Sequence, residues 1–227
     1  MTTFCTDSDL LHWEPDLPGD ALWVSQLLIT GTGDLTESSF FTSSVSPGFN
    51  VLTGIEAGQV LTLGEPVNAC FPIVERVDNT TVRVSTITAE LFPESGGAPP
   101  PALLGCTSAA DVSYAVRSFW AQRSVVSAFM LAAAGADPAV AAAEGRPAPA
   151  VLNPASLKRA CVLGTIQMIY ATLAAAAAEP AALQARADMY ERLYRRALRQ
   201  TEVVLDLDGD GRADVRKSLG AVQVARA

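Results

Sequence analysis

The sequence predicts an α+β fold: an α-helical bundle with an inserted small antiparallel β barrel or sandwich module and an extended C-terminal tail. Three observations lead there. Ala- and Leu-rich stretches with apolar residues at helical spacing fill the second half, from Ser118 to Gln200. Between Leu35 and about Leu91 the composition shifts to Val, Thr, Ser, Phe and Gly, in short alternating runs. After Asp206 an Asp/Gly turn leads into an alternating apolar-basic segment. The expected organisation is N-terminal helices of the bundle over 1–32 and an inserted β module with a Pro-rich linker over 33–113. The helical bundle proper follows over 114–201, with the acidic turn and extended tail over 202–227.

Thr6, followed three residues later by Asp9, is a capping-box-like start for a short helix that stops before Pro15. A second helix is expected after Pro18, carrying Ala21, Leu22, Trp23, Leu27 and Leu28 and ending at the glycines of Thr30–Asp34. Three runs then read as strands: Gly58–Leu63, Phe71–Val77 and Thr80–Ile87, the last two joined by the Asp78-Asn79 turn. Three consecutive prolines make Pro93–Gly105 a loop. Helix returns after Tyr114, with Trp120, Val125, Phe129 and Leu131 as its apolar residues and Gly135 as its stop.

A Pro/Ala-rich connection leads to Asn153 and Pro154, a cap and first-position pair that opens the next helix. Val162, Ile166, Ile169 and Leu173 recur at four, three and four residues, giving one apolar stripe widened by Leu163 and Tyr170. This helix should be central, and Ala174–Ala178 give it a narrow face for close approach, within one subunit or between subunits. Glu179-Pro180 starts the last helix, whose apolar face is Leu183, Ala187, Tyr190, Tyr194 and Leu198. On its other face Asp188–Arg192 and Glu191–Arg195 are spaced for ion pairs.

Composition narrows the function. With 49% hydrophobic and 18% charged residues in 227, the chain has a globular balance and can bury a sizeable core. A net charge of −8 argues against a general nucleic-acid-binding surface. Cys5, Cys70, Cys106 and Cys161 lie outside metal-ligand spacing of one another and His12 is the only histidine, so zinc is not expected. The long cysteine separations do not read as a small secreted scaffold, and the acidic, polar start is not a signal peptide. A reduced, intracellular, soluble protein is the expectation. Residues 160–178 carry no charge and are long enough to span a bilayer, but alanine, Thr165, Gln167 and Thr172 favour a buried helix; no membrane partner is expected.

Chemistry is sparse. The sequence has no Gly-rich phosphate loop, nucleophile elbow, histidine pair or adjacent Cys-His, and His12 reads as a packing or capping residue. The chain is therefore expected to be no enzyme, with no catalytic residues and no cofactor. One motif stands out. Asp206, Asp208, Asp210 and Asp214, with Gly211, occupy positions 1, 3, 5, 9 and 6 of a calcium-loop pattern. Position 12, where a bidentate Glu belongs, is Lys217. A plain acidic turn fits these residues better, and a weak calcium site remains the alternative, as part of a calcium-responsive binding module.

Two basic features are candidate partner surfaces. Five arginines against two acids between Arg186 and Arg199 leave a local +3. Arg192, Arg195, Arg196 and Arg199 form this basic face, either complementing a helix C-terminus or facing a partner or DNA. Arg216, Lys217, Leu219, Val222, Val224 and Arg226 make an apolar-basic segment, suited to an edge strand elsewhere or to packing along its own bundle.

These segments resemble a known family. "CTDSDLLHWEPDLPGDALWVSQLLITGTG" is similar to the opening of head-to-tail connector (adaptor, head completion) proteins of long-tailed bacteriophages and related gene transfer agents. "NPASLKRACVLGTIQMIYATLAAAA", "ADMYERLYRRALRQ" and "LDLDGDGRADVRKSLGAVQVARA" resemble the same family's C-terminal part. The resemblance covers about half the chain; the β module departs from minimal all-helical members. It implies a virion neck protein made in the host cytoplasm, assembled as a ring, usually twelvefold, under the portal protein. It further implies a neighbouring neck or tail protein on the other side and packaged DNA passing the lumen without specific binding. By matching segment, Leu157–Leu173 and Leu183–Leu198 would be bundle helices facing neighbours. Val162, Ile166, Ile169, Leu173, Tyr190 and Tyr194 would carry the subunit packing, and residues 214–227 would bind the portal.

Overall fold

The computed structural model describes residues 3–36, 39–45, 48–49, 54–85, 108–145 and 147–220. The chain divides into two compact units, Thr6–Trp120 and Met1–Cys5 with Ala121–Ala227. The two helices expected to join the bundle thus belong to the β unit.

In the β unit, α1 (Asp7–Trp13) has the capping box the sequence predicts: Asp9 N–H donates to Thr6 Oγ1 and Thr6 N–H to Asp9 Oδ2. Asp7 fixes this helix to the sheet, accepting from Ser118 Oγ at 2.8 Å and from Phe119 N–H at 3.0 Å. α2 is a single turn, Leu17–Asp20. The strands are β1 (Gln26–Thr36), β2 (Phe40–Ser43), β3 (Val60–Leu63), β4 (Ala69–Arg76), β5 (Thr81–Val84) and β6 (Ser108–Ser118). They close into an antiparallel barrel in the order β1-β2-β5-β4-β3-β6, with β6 paired back to β1.

This overturns the expected fold class. Among the described residues the molecule is a mixed α/β protein built on a closed six-stranded barrel with six helices, and not a helical bundle carrying a small insert. Two long strands account for the difference. Gln26–Thr36, part of which was expected to be helical, is β1, because Gly31 and Gly33 supply close approach within the barrel. A Cβ on Gly33 would lie 2.4 Å from the Thr42 carbonyl oxygen and 2.7 Å from the Phe41 ring. A Cβ on Gly31 would meet Val45 and Tyr114. The second strand, β6, extends through Tyr114 to Ser118, placing Val112, Tyr114 and Val116 inside by strict alternation. The interior is solid: Leu35, Leu61, Phe71, Ile73, Val82 and Val84 pack with a cluster of Phe41, Phe49 and Tyr114. Six strands enclose room for side chains only. The Tyr114 hydroxyl is held by Ser43 Oγ at 2.6 Å. The strands expected at Gly58–Leu63, Phe71–Val77 and Thr80–Ile87 appear as β3, β4 and β5; residues 86–107, including the Pro-rich linker, lie outside the described residues.

In the helical unit, α3 (Trp120–Ala134) and α4 (Pro138–Ala143) precede a long hairpin of α5 (Pro154–Ala176) and α6 (Ala181–Gln200). Gly164 lets three helices converge: a Cβ there would sit 2.9 Å from both Val126 of α3 and Tyr194 of α6. Tyr170 and Tyr190 stack with centroids 5.9 Å apart, and Arg186 lies over Tyr170 while donating to its hydroxyl. α5 is long and apolar enough to cross a membrane, yet 61% of its most apolar window is buried inside the protein, where it forms the core helix of this unit.

A small antiparallel sheet finishes the unit, β7 (Ala150–Val151), β8 (Glu202–Asp206) and β9 (Val215–Ser218), in that order. The extended tail is therefore corrected as far as Gly220. Val203 and Leu205 are buried and set the register Val203↔Lys217 and Leu205↔Val215, so β9 pairs within its own chain. Leu219 N–H continues the pairing to the Thr201 carbonyl.

Candidate interaction surface

α3 is turned inside out. Its buried face carries Arg123, Ser124, Val126, Ser127 and Met130, whereas Val125 is 42% and Phe129 62% exposed. Ala121, Ala132 and Ala133 are exposed on the same helix, and no charged side chain interrupts this outer surface. The inward polar groups explain the inversion. Arg123 donates to the Cys5 carbonyl at 2.7 Å, and Ser127 Oγ accepts from Phe4 N–H at 3.3 Å. Buried polar groups need such partners, and the backbone of residues 4 and 5 supplies them to Arg123 and Ser127, whereas the Ser124 hydroxyl has none among the described residues. Val125 and Phe129, named from the sequence as apolar residues of this helix, are both placed in solvent.

The residues predicted for subunit packing lie elsewhere. Val162, Ile166, Ile169, Leu173 and Tyr190 are buried within the chain itself, on the α5–α6 hairpin, and Tyr194 is half-buried against Gly164. Their stripe closes the core of one copy. What α6 shows to solvent is Arg192, Arg195, Arg196 and Arg199, all exposed on one side. Glu191–Arg195 forms at 2.5 Å, but Asp188 takes a hydrogen bond from Gln184 and does not pair with Arg192. Among the described residues, Arg192, Arg196 and Arg199 have no carboxylate partner, so the basic face is net positive at the surface.

The acidic motif forms the β8–β9 hairpin loop. Asp206, Asp208 and Asp210 bring carboxylate oxygens within 4.8 Å of one another. Backbone amides already engage them. Asp206 accepts from Gly209 N–H at 2.7 Å and Gly211 N–H at 2.9 Å, Asp208 from Asp210 N–H, and Asp210 from Arg212 N–H. Asp214 accepts from Leu207 N–H at 2.6 Å. Gly209 and Gly211 take φ of +84° and +81°, which only glycine adopts without strain. The amides of Gly211 and then Gly209 hold the Asp206 carboxyl below its ordinary range. Lys217, at the twelfth position, reaches away to the Ala134 carbonyl at 3.1 Å, at the C-terminus of α3.

Of the predicted portal-binding residues, Arg216 is exposed on β9, while Lys217 and Leu219 are engaged as described. Val222, Val224 and Arg226 lie outside the described residues.

In the β unit, Leu22, Trp23, Leu27 and Trp120 are exposed around one junction. There Arg117 donates to the Leu22 carbonyl and Ser25 Oγ, Leu27 pairs with Arg117, and Trp120 N–H donates to Ser118 Oγ. A cleft beside it, lined by Asp7, Leu10, Leu17, Val60 and Phe119, holds about 10 Å³. That is room for about one water, against roughly 300 Å³ or more for a small-molecule site. A wider, open depression of about 320 Å³ lies over Gly54–Ala57 and Arg76. His12 is exposed in the last turn of α1.

Compared with models of known protein families, with curated proteins and with solved structures, the chain finds no match.

Proposed function

We propose that the protein is a structural head-to-tail connector (adaptor) of a tailed phage or phage-like particle. It forms a ring under the portal, joins it to the neck or tail, and does no catalysis. The observation that carries this reading is the outward apolar face of α3, built on Val125 and Phe129. A ring assembled head to tail needs two different faces on every copy. The second is the apolar junction at Leu22, Trp23 and Leu27. Burying Phe129 in a neighbour contributes about 1.5–3 kcal/mol, with more from the tryptophan it meets.

The helical segments that carry the family resemblance support the same reading, as does the acidic balance, which keeps packaged DNA from adhering. The portal-docking segment narrows to the residues after Gly220, with Val222, Val224 and Arg226, assisted by exposed Arg216. Mixing the purified chain with portal protein tests the proposal by electron microscopy. Rings on the portal are the expected outcome; portal particles that never carry the chain overturn it.

The converging carboxylates of Asp206, Asp208 and Asp210 favour one second reading, a calcium-responsive module. Calorimetry with wild type and Asp210→Ala separates the two. The connector reading predicts no heat at millimolar calcium, well above the range of tight sites.

A further inference from the structure

We infer that Cys5 and Cys161 are a modification site, a buried dithiol that a peroxide converts to an intrachain disulfide tying residues 3–5 to the middle of α5. The inference is independent of the connector reading. The two Sγ atoms stand 2.9 Å apart although the residues are 156 positions apart in sequence. Both are thiols and both are buried, Cys161 completely. The pair is held from several sides. Arg123 fixes the Cys5 carbonyl, Ser127 Oγ lies 3.4 Å from Cys161 Sγ while accepting from Phe4 N–H, and Thr165 Oγ1 donates to the Cys161 carbonyl. Inward polar residues of α3 therefore orient both cysteines, which gives a second reason for its inversion.

Cys161 is the nucleophile. Hydrogen bonding from the Cys5 thiol lowers its pKa to about 7 against the effect of burial, which favours the thiolate that the attack requires. The thiolate attacks one peroxide oxygen; the O–O bond breaks, a sulfenic acid forms, and the departing hydroxide takes a proton to become water. Cys5 sulfur then attacks Cys161 sulfur, the S–O bond breaks, and the second oxygen leaves as water with the Cys5 proton. Two thiols are oxidised and one peroxide is reduced to two waters. Burial selects a small oxidant: a bulky disulfide such as oxidised glutathione has no room at Cys161.

The test treats the full chain with hydrogen peroxide under native conditions, alkylates it, and maps it by non-reducing proteolysis and mass spectrometry. The expected product is a Cys5–Cys161 linked peptide pair lighter by roughly 2 Da, with Cys70 and Cys106 alkylated. Its thermal midpoint should rise on oxidation and return with dithiothreitol, a comparison on wild type that needs no variant. Cys5→Ser should show no such rise and should carry a trapped sulfenic acid on Cys161. Alkylation of both residues after treatment, pairing of either with Cys70 or Cys106, or linkage only in denaturant would overturn the inference.

Discussion

The barrel and the helical unit solve the same problem in opposite ways. The barrel consumes its own valences: every strand has two neighbours, so no sheet edge remains, and its aromatic cluster fills the interior. The helical unit leaves valences open. One helix shows its apolar side to solvent, a row of arginines has little counter-charge, and β9 is an edge strand with no further neighbour among the described residues. A closed unit of that kind is a rigid platform, with its largest exposed apolar side chains gathered at Leu22, Trp23, Leu27 and Trp120. The open unit leaves apolar and basic surfaces exposed, and the proposed connector role would bury them against a partner.

The comparison breaks first inside. Gly33→Val in the barrel and Gly164→Val in the helical unit should each cost about 3 kcal/mol in urea unfolding, the upper part of the usual overpacking range. Both glycines sit where a Cβ would meet packed atoms, the Thr42 carbonyl in the barrel and the Val126 and Tyr194 side chains in the helical unit. A near-neutral result at either site would contradict that close approach. Next in size is a surface effect. Phe129→Asp should abolish association in sedimentation while changing stability by under about 0.5 kcal/mol, as an exposed site should.

Smaller again is the cap. Thr6→Ala should lower stability by about 1 kcal/mol, read from the same denaturation curves. The last is local to the acidic hairpin. Asp206 has its folded pKa depressed, so its stabilisation is complete above the ordinary carboxylate value of about 3.9 and lost as pH falls through the lower folded value. NMR should show the Gly209 and Gly211 amides shifting together in that acid window, and Asp206→Asn should erase the transition.

What the sequence made legible follows how local each determinant is. The α1 cap, the Asp78 turn and the Asp206–Asp214 turn each depend on side chains bonding backbone two to five residues away, and each was legible as a cap or turn, although the pairing of β9 with β8 that the last one makes was not. The α5 stripe and the strands β3 to β5 were equally readable from periodicity. β1 and β6 were not. The glycines of β1 and the 11-residue length of both strands make sense only against each other, across a pairing such as Gly31↔Tyr114. The outward face of α3 was hidden for the same reason, because Arg123 and Ser127 find partners near position 5 that no local window contains. The α5 stripe was legible as apolar, but periodicity does not say whether it faces its own chain or another copy. It faces its own.

The central claim is a contact between two different faces, and sedimentation equilibrium on mixed variants tests it most directly. At high concentration wild type should self-associate, and Phe129→Asp and Trp23→Asp should each remain monomeric. Their equimolar mixture should form dimers and stop there, because one intact pair of faces survives. Monomers throughout, including wild type, or assembly of the mixture beyond dimers, would contradict the account.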